Sequence, residues 1–306
     1  MPQKIVFMGT PEFSVPTLEA LMNSDHKVLT VYSQPASKSN RGQKLVPSSV
    51  EMFAKEKGLN LRTPIKLDTN EEYDFLKKNK PDIVVVVAYG KIIPKKFLDL
   101  PKHGFINIHA SLLPKWRGAA PIQRAIMNLD DETGVSIMKI VEELDAGPVM
   151  QQNRIKINEN IDCSTLSNVL SKLGAKSVLD SITQIEKGDA KFVEQDHSKA
   201  TYAKKILKTE GQIFWKDNAK KVLAKINGLN PNPGAWFKYK KERYKVWKAK
   251  ISDETGDFGK IINDKLTIAC SNQSIQITEI QKEGKSRQSV DKFLLGNKMK
   301  KGESVV

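Results

Sequence analysis

An α/β fold is predicted: an open, mostly parallel sheet flanked by helices, followed by a small β-barrel. Three observations lead there. Up to Glu186, short apolar runs rich in Val and Ile alternate with segments of helical spacing. Beyond Gly234 the pattern becomes short alternating runs broken by turn residues. The charge shifts as well: residues 1–198 carry 26 Lys+Arg against 24 Asp+Glu, whereas residues 199–306 carry 24 against 11.

Residues 4–9, Lys4-Ile5-Val6-Phe7-Met8-Gly9, form the first strand and run into a turn. Phe13 to Met22 has helical spacing through Val15, Leu18, Leu21 and Met22, and Pro16 is tolerated in its first turn. Val28 to Tyr32 is the second strand, and Ser33 to Ser49 a polar loop centred on Arg41-Gly42. Val50 to Gly58 is a helix closed by glycine. Thr69 to Lys80 is another, stopped by Pro81. Ile83-Val84-Val85-Val86-Val87 has no polar alternation, as a central parallel strand covered on both faces requires. Phe105 to His109 follows as a strand, Ala120 to Asn128 as a helix, Thr133 to Ile140 as a strand and Ser164 to Glu186 as a long helix. The arrangement is Rossmann-like, and ligands on such sheets bind at the carboxyl ends of the strands. Gly9, Tyr89-Gly90 and His109 all fall there.

Residues 187–207 are polar and weakly periodic, and read as a linker between residues 1–186 and a second domain, 208–306. In that second domain Asn218 to Gly228 is a short basic helix. Runs at Ala235-Trp236-Phe237, Tyr244 to Ala249, Lys265 to Ala269 and Ser274 to Ile277 read as an OB-like, five-stranded barrel. Trp236, Tyr239, Tyr244 and Trp247 interleave with lysines, so each is either barrel core or a surface on which bases stack.

Composition narrows the function classes. A hydrophobic content of 39% with 28% charged residues fits a soluble globular protein. No run of 18 apolar residues is present, so no membrane span is expected. The first apolar run closes at Gly9-Thr10, without the length or cleavage site of a secretory signal. Cys163 and Cys270 have no CxxC partner, which points to the reducing cytoplasm and against a disulfide framework or a cysteine zinc site. His26, His103, His109 and His197 show neither HxxxH nor HExxH spacing, so no metal is expected. The net charge of +13 over residues 199–306, against +2 before them, points to a polyanionic partner for the second domain. A lysine-rich compositional bias would raise both parts together.

The most informative stretch is Asn107-Ile108-His109-Ala110-Ser111-Leu112-Leu113-Pro114. Positions i and i+2 of a strand share a face, so Asn107 and His109 project into one space. An amide donor beside a titratable ring suits a reaction in which negative charge grows on a carbonyl-type oxygen while a proton moves. Asp145, in Leu144-Asp145-Ala146-Gly147-Pro148, either pairs with His109 or accepts locally from its own turn. Gly9-Thr10-Pro11-Glu12 stands where dinucleotide folds carry their glycine-rich turn, yet GxGxxG is absent and Pro11 removes an N–H. That weighs against a nicotinamide dehydrogenase. Gly90 permits a turn whose backbone faces a planar ring.

On these residues the chain resembles the folate-dependent formyltransferase superfamily, and within it the family that formylates methionyl initiator tRNA. The matching elements are Met8-Gly9-Thr10-Pro11-Glu12-Phe13-Ser14-Val15-Pro16, Val87-Ala88-Tyr89-Gly90-Lys91-Ile92-Ile93-Pro94, and Asn107 to Pro114 continuing through Trp116-Arg117-Gly118-Ala119-Ala120-Pro121-Ile122. Thr133 to Met138, Leu144 to Pro148 and Leu229-Asn230-Pro231-Asn232-Pro233-Gly234-Ala235 complete the set, so the likeness runs end to end. It implies a formyltransferase-fold domain and a tRNA-gripping barrel, serving translation initiation in the cytoplasm as a monomer. It implies 10-formyltetrahydrofolate as donor, the α-amino group of methionyl initiator tRNA as acceptor, and no metal. Asn107, His109 and Asp145 match the catalytic set. Tyr89, Gly90, Lys91 and Ile92, with Ser111, Leu112, Leu113 and Pro114, match the folate-contacting segments. Arg41 matches an arginine used near the acceptor stem, and Lys205, beside Lys204, a linker lysine near the active site. The loop Pro35 to Lys44 is less basic than in many members.

Three rivals remain. Transfer to glycinamide ribonucleotide or an amino sugar leaves the basic second domain without a purpose. A nicotinamide dehydrogenase lacks its glycine fingerprint. A pure RNA-binding protein leaves Asn107, His109 and Asp145 idle.

Overall fold

The apolar runs of the first half assemble into one twisted sheet. The computed structural model describes residues 2–39, 44–297 and 299–306; Arg41 lies outside them. In chain order the elements are β1 (Lys4–Gly9), α1 (Val15–Met22), β2 (Lys27–Tyr32), β3 (Ser37–Ser39), β4 (Lys44–Val46), α2 (Ser49–Glu56), β5 (Leu61–Arg62) and α3 (Asn70–Asn79). There follow β6 (Ile83–Val87), α4 (Lys95–Leu98), β7 (Phe105–His109), β8 (Arg117–Gly118), α5 (Pro121–Met127), β9 (Glu132–Lys139), β10 (Val149–Lys156) and α6 (Cys163–Lys187). The seven-stranded sheet has the order β10-β9-β7-β6-β1-β2-β5. The run from β7 to β5 is parallel, and β9 joins β7 antiparallel.

Local chemistry explains the boundaries. Every residue of β6 is buried, which its unbroken β-branched sequence anticipates. The Ser48 hydroxyl caps α2 by accepting from the Glu51 N–H, and Thr69 caps α3 by accepting from Glu72. Lys80 ends α3 in the left-handed region at φ 46°, just before Pro81. The loop expected over Ser33–Ser49 holds a two-stranded antiparallel ribbon, β3 with β4. The polar strand β10 was not foreseen. It lies at the sheet edge and is half-buried along most of its length, so its sequence carries no clear alternation.

The chain divides into two compact units: Met1–Gly118 with Gly134–Ile155 and Ser167–Tyr202, and Ala119–Thr133 with Lys156–Leu166 and Ala203–Val306. The remaining elements are β11 (Tyr202–Ala203), α7 (Ala219–Gly228), β12 (Ala235–Tyr239), β13 (Glu242–Ser252), β14 (Thr267–Ala269), β15 (Ser274–Lys282), β16 (Gln288–Ser289) and α8 (Val290–Gly296). The second unit is built on an antiparallel sheet of order β12-β13-β15-β14, with β16 on β15. The expected barrel is not closed. On their outer edges β12 and β14 meet isolated bridges, Gln212–Trp236 and Ile261–Ile268, and β12 exchanges backbone hydrogen bonds between Lys238 and Val306. β14 is three residues long, too short to complete a ring of hydrogen bonds. The sheet core includes Phe237, Tyr239, Tyr244, Val246, Ile275 and Ile277, and helix α7 adds Val222, Leu223 and Ile226.

Candidate functional site

The site grows from the carboxyl end of β7. Val86 of β6 pairs with Asn107, and β1 pairs in parallel with β6, so the turns after all three strands lie on one edge. Asn107 and His109 face the same side of the sheet. Ile108, between them, points the other way and meets α6 at Gly174, where a Cβ would lie 2.7 Å from Ile108 Cγ2. Within the described residues the Asn107 side chain is half-buried and makes no hydrogen bond to the protein.

His109 is buried. Its Nε2 lies 2.9 Å from the Trp116 carbonyl oxygen, and a carbonyl only accepts, so Nε2 carries a proton. Its Nδ1 lies 3.6 Å from Oδ2 of Asp145, an ion-pair distance rather than a hydrogen bond. Both ring nitrogens thus face acceptor oxygens. Oδ2 of Asp145 also accepts from the Gly118 N–H at 2.8 Å. The two readings left open for Asp145 thus resolve: it faces His109, and its backbone donor comes from a distant strand rather than from its own turn. Asp145 sits at φ 49°, a region Asp enters more readily than most residues. A Cβ on Gly147 would fall 2.0 Å from the Lys139 carbonyl oxygen, so only glycine fits there.

The segments expected to meet the folate behave unequally. Tyr89 is buried, and burial pushes its phenol pKa well above the ordinary value. Its carbonyl accepts from Thr10 Oγ1 at 2.8 Å and Gln34 Nε2 at 2.9 Å. Gly90 stands at φ 79°. Lys91 donates to the carbonyls of Pro64 and Ile65, and burial lowers its pKa. Ile92 is 88% exposed. Ser111 is buried and donates to the Lys115 carbonyl. Leu113 is buried; its N–H donates to Ser136 Oγ and its carbonyl accepts from Gln152. Leu112 and Pro114 are half-buried. A planar heteroaromatic ring needs apolar faces and backbone polar groups. Ile92, Val141 and Leu144 are exposed apolar side chains. The Lys95–Glu142 ion pair at 2.5 Å ties the segments that carry them.

In the second unit Lys205 and Lys204 are both exposed. Tyr239 and Tyr244 are core, and Trp236 is buried beneath the Arg243 guanidinium, 4.0 Å from its ring. Trp247 is half-buried between Lys245 and Arg287, each 4.8 Å from its ring. Sequence reasoning gave no part to the Thr10 and Gln34 side chains, which donate to the Tyr89 carbonyl, or to Gln195, which donates to the Asp145 and Gly147 carbonyls. Among the described residues no cluster of three or more His, Cys, Asp or Glu could hold a metal ion, and no helix is long and apolar enough to cross a membrane.

The chain is similar to known proteins along its length. The formyl transferase family profile matches residues 3–182, and that of the formyl transferase C-terminal domain matches residues 205–298. A methionyl-tRNA formyltransferase of Pelagibacter ubique (strain HTCC1062) is 51% identical over 100% of this chain and 99% of its own. One of Jannaschia sp. (strain CCS1) is 42% identical over 98% of each chain. Among solved structures, the N-formyltransferase of Helicobacter canadensis, in complex with folinic acid and dTDP-3-aminofucose, superposes with a TM-score of 0.70 at 19% identity. The match covers 92% of this chain and 100% of that one.

Proposed function

The chain belongs to the formyl transferase family, and we propose that it transfers a formyl group from 10-formyltetrahydrofolate to the α-amino group of methionyl initiator tRNA. One observation carries the reading. His109 and Asp145 pair at 3.6 Å beside the unengaged Asn107 amide, in a chain similar along its whole length to methionyl-tRNA formyltransferases. In the proposed division residues 1–186 perform the transfer, 187–207 link, and 208–306 hold the tRNA. The protein works in the cytoplasm as a monomer.

10-Formyltetrahydrofolate supplies an activated formyl carbon. As the neutral amine attacks that carbon, negative charge grows on the formyl oxygen. The Asn107 N–H donates to it, and the His109 Nε2 proton, held by Trp116 in the free chain, turns to it. Asp145 orients the His109 ring. Through a water it takes the proton released by the amine and passes it to the departing folate nitrogen. Tyr89, Gly90, Lys91 and Ile92 line the folate together with Ser111, Leu112, Leu113 and Pro114. Arg41 and Lys205 contact the tRNA. The test is direct: the protein is incubated with the folate donor and charged initiator tRNA, and formyl-methionine is assayed after hydrolysis. Absence of product with an active control tRNA sinks the proposal.

A further inference from the structure

Arg117 is 1% exposed, and a buried guanidinium requires partners. Its Nε and one terminal nitrogen donate to the same oxygen, Oε1 of Gln195, at 3.1 and 2.9 Å. The other terminal nitrogen reaches Oε1 of Glu143 at 3.5 Å, and Nδ1 of His197 lies 3.4 Å from the guanidinium. Gln195, buried in turn, spends its amide nitrogen on two carbonyls: Asp145 at 2.8 Å and Gly147 at 2.7 Å. The amide cannot be reversed. A flip would set its NH2 against the guanidinium and its oxygen against two carbonyl oxygens.

We infer that Gln195, oriented by Arg117, is a positioning residue that fixes the Asp145–Gly147 turn and so aims the Asp145 carboxylate at His109. Three constraints converge on that turn. Gly147 is pressed onto the Lys139 carbonyl, the carboxylate is held by the Gly118 N–H, and both turn carbonyls are held by one amide. Gly118 and Arg117 are adjacent in β8, so a single two-residue strand carries both the donor to the carboxylate and the anchor of the amide. The strap bearing Gln195 is itself tied back: Val193 bridges Val149, and the Arg117 N–H donates to the Thr201 carbonyl at 2.8 Å.

The inference rests on the proposal that His109 and Asp145 are catalytic, so its test carries a readout independent of turnover. Gln195→Leu removes both donations. Gln195→Glu keeps an acceptor for Arg117, and with it the buried charge paired, but sets a carboxylate against the two carbonyls. In each, kcat for formyl transfer should fall up to ~100-fold with KM for both substrates within about twofold, as expected for a misplaced catalytic group. In parallel, the His109 ring resonances of the full chain are assigned by difference from His109→Gln. In both Gln195 variants they should move toward their position in Asp145→Asn. Unmoved resonances or unchanged kcat in a folded Gln195 variant overturns the inference. So does failure of both variants to fold, which would make the amide a structural brace only. If the wild-type chain transfers no formyl group but the resonances move as stated, the proposed reaction falls while the positioning link stands.

Discussion

Asp145 is held in a left-handed backbone conformation by contacts that reach it from β8 and, through Gln195, from residues near position 200. Its charge therefore points where the fold directs it. Asn107→Ala, His109→Ala and Asp145→Ala should each lower kcat by ~100–1000-fold, the usual loss when one stabilising group is removed from a developing oxyanion. Filter binding should meanwhile find tRNA affinity little changed. Normal turnover in Asp145→Ala would remove that residue from the mechanism. Gly147→Ala makes a separate point. Its Cβ would lie 2.0 Å from a backbone oxygen that cannot rotate away, so urea unfolding should report a loss of ~1–3 kcal/mol. Turnover should fall with it as the Asp145 turn shifts. The pair Asn107 and His109 was legible in the sequence because strand periodicity alone places i and i+2 on one face. Gln195 was not, since it lies in a polar segment without period, and its role exists only through Arg117, 78 residues away.

Elements were legible where hydrophobic period and caps agree, as in β6 and α3, and lost where neighbours supply the stability. β10 is an edge strand, and the OB-like barrel expected for the second unit is an unclosed sheet, because alternation reports strands but not which edges meet. In the same unit α5 is tied to the segment before α7 by one cation. Arg124 donates to both carboxylate oxygens of Glu210, at 2.6 and 3.1 Å, and to the Lys204 carbonyl. The hydrogen bond from Arg124, and then that from the Leu207 N–H, hold the Glu210 pKa below its ordinary value, although burial opposes this. A depressed carboxylate pKa stabilises the fold above the unfolded-state value of about 4.3, and that stability is lost as pH falls through the folded-state value. Glu210→Gln should therefore cost ~1–3 kcal/mol at pH 7 by urea unfolding. The gap from wild type should narrow at pH 4. A gap that stays constant with pH would mean that ionisation of Glu210 contributes nothing.

At the scale of the molecule, two features seen in composition take on physical form. Cys163 and Cys270 are both buried, and burial, then the neighbouring Asp162 and Asp217 charges, push each thiol up to about 12. The thiolate is the reactive form, so iodoacetamide at pH 8 should label neither cysteine until denaturant opens the fold. The second feature is the charge excess of residues 199–306, 24 Lys+Arg against 11 Asp+Glu. Composition revealed that excess but not its arrangement. On the second unit's sheet Arg243 and Lys245 stand one residue apart on β13 and so share a face, and Trp247 is held between Lys245 and Arg287. A cationic face that meets phosphates releases counterions, and the affinity then falls with salt at a slope of about −0.9 per phosphate neutralised. If about four phosphates are engaged, tRNA binding by the full chain should weaken by ~100-fold between 0.05 and 0.2 M salt. Arg243→Ala and Lys245→Ala should each flatten the slope by about one. A slope independent of salt in the wild-type chain would show that these charges serve solubility alone, and the second unit would need another reason for its lysines.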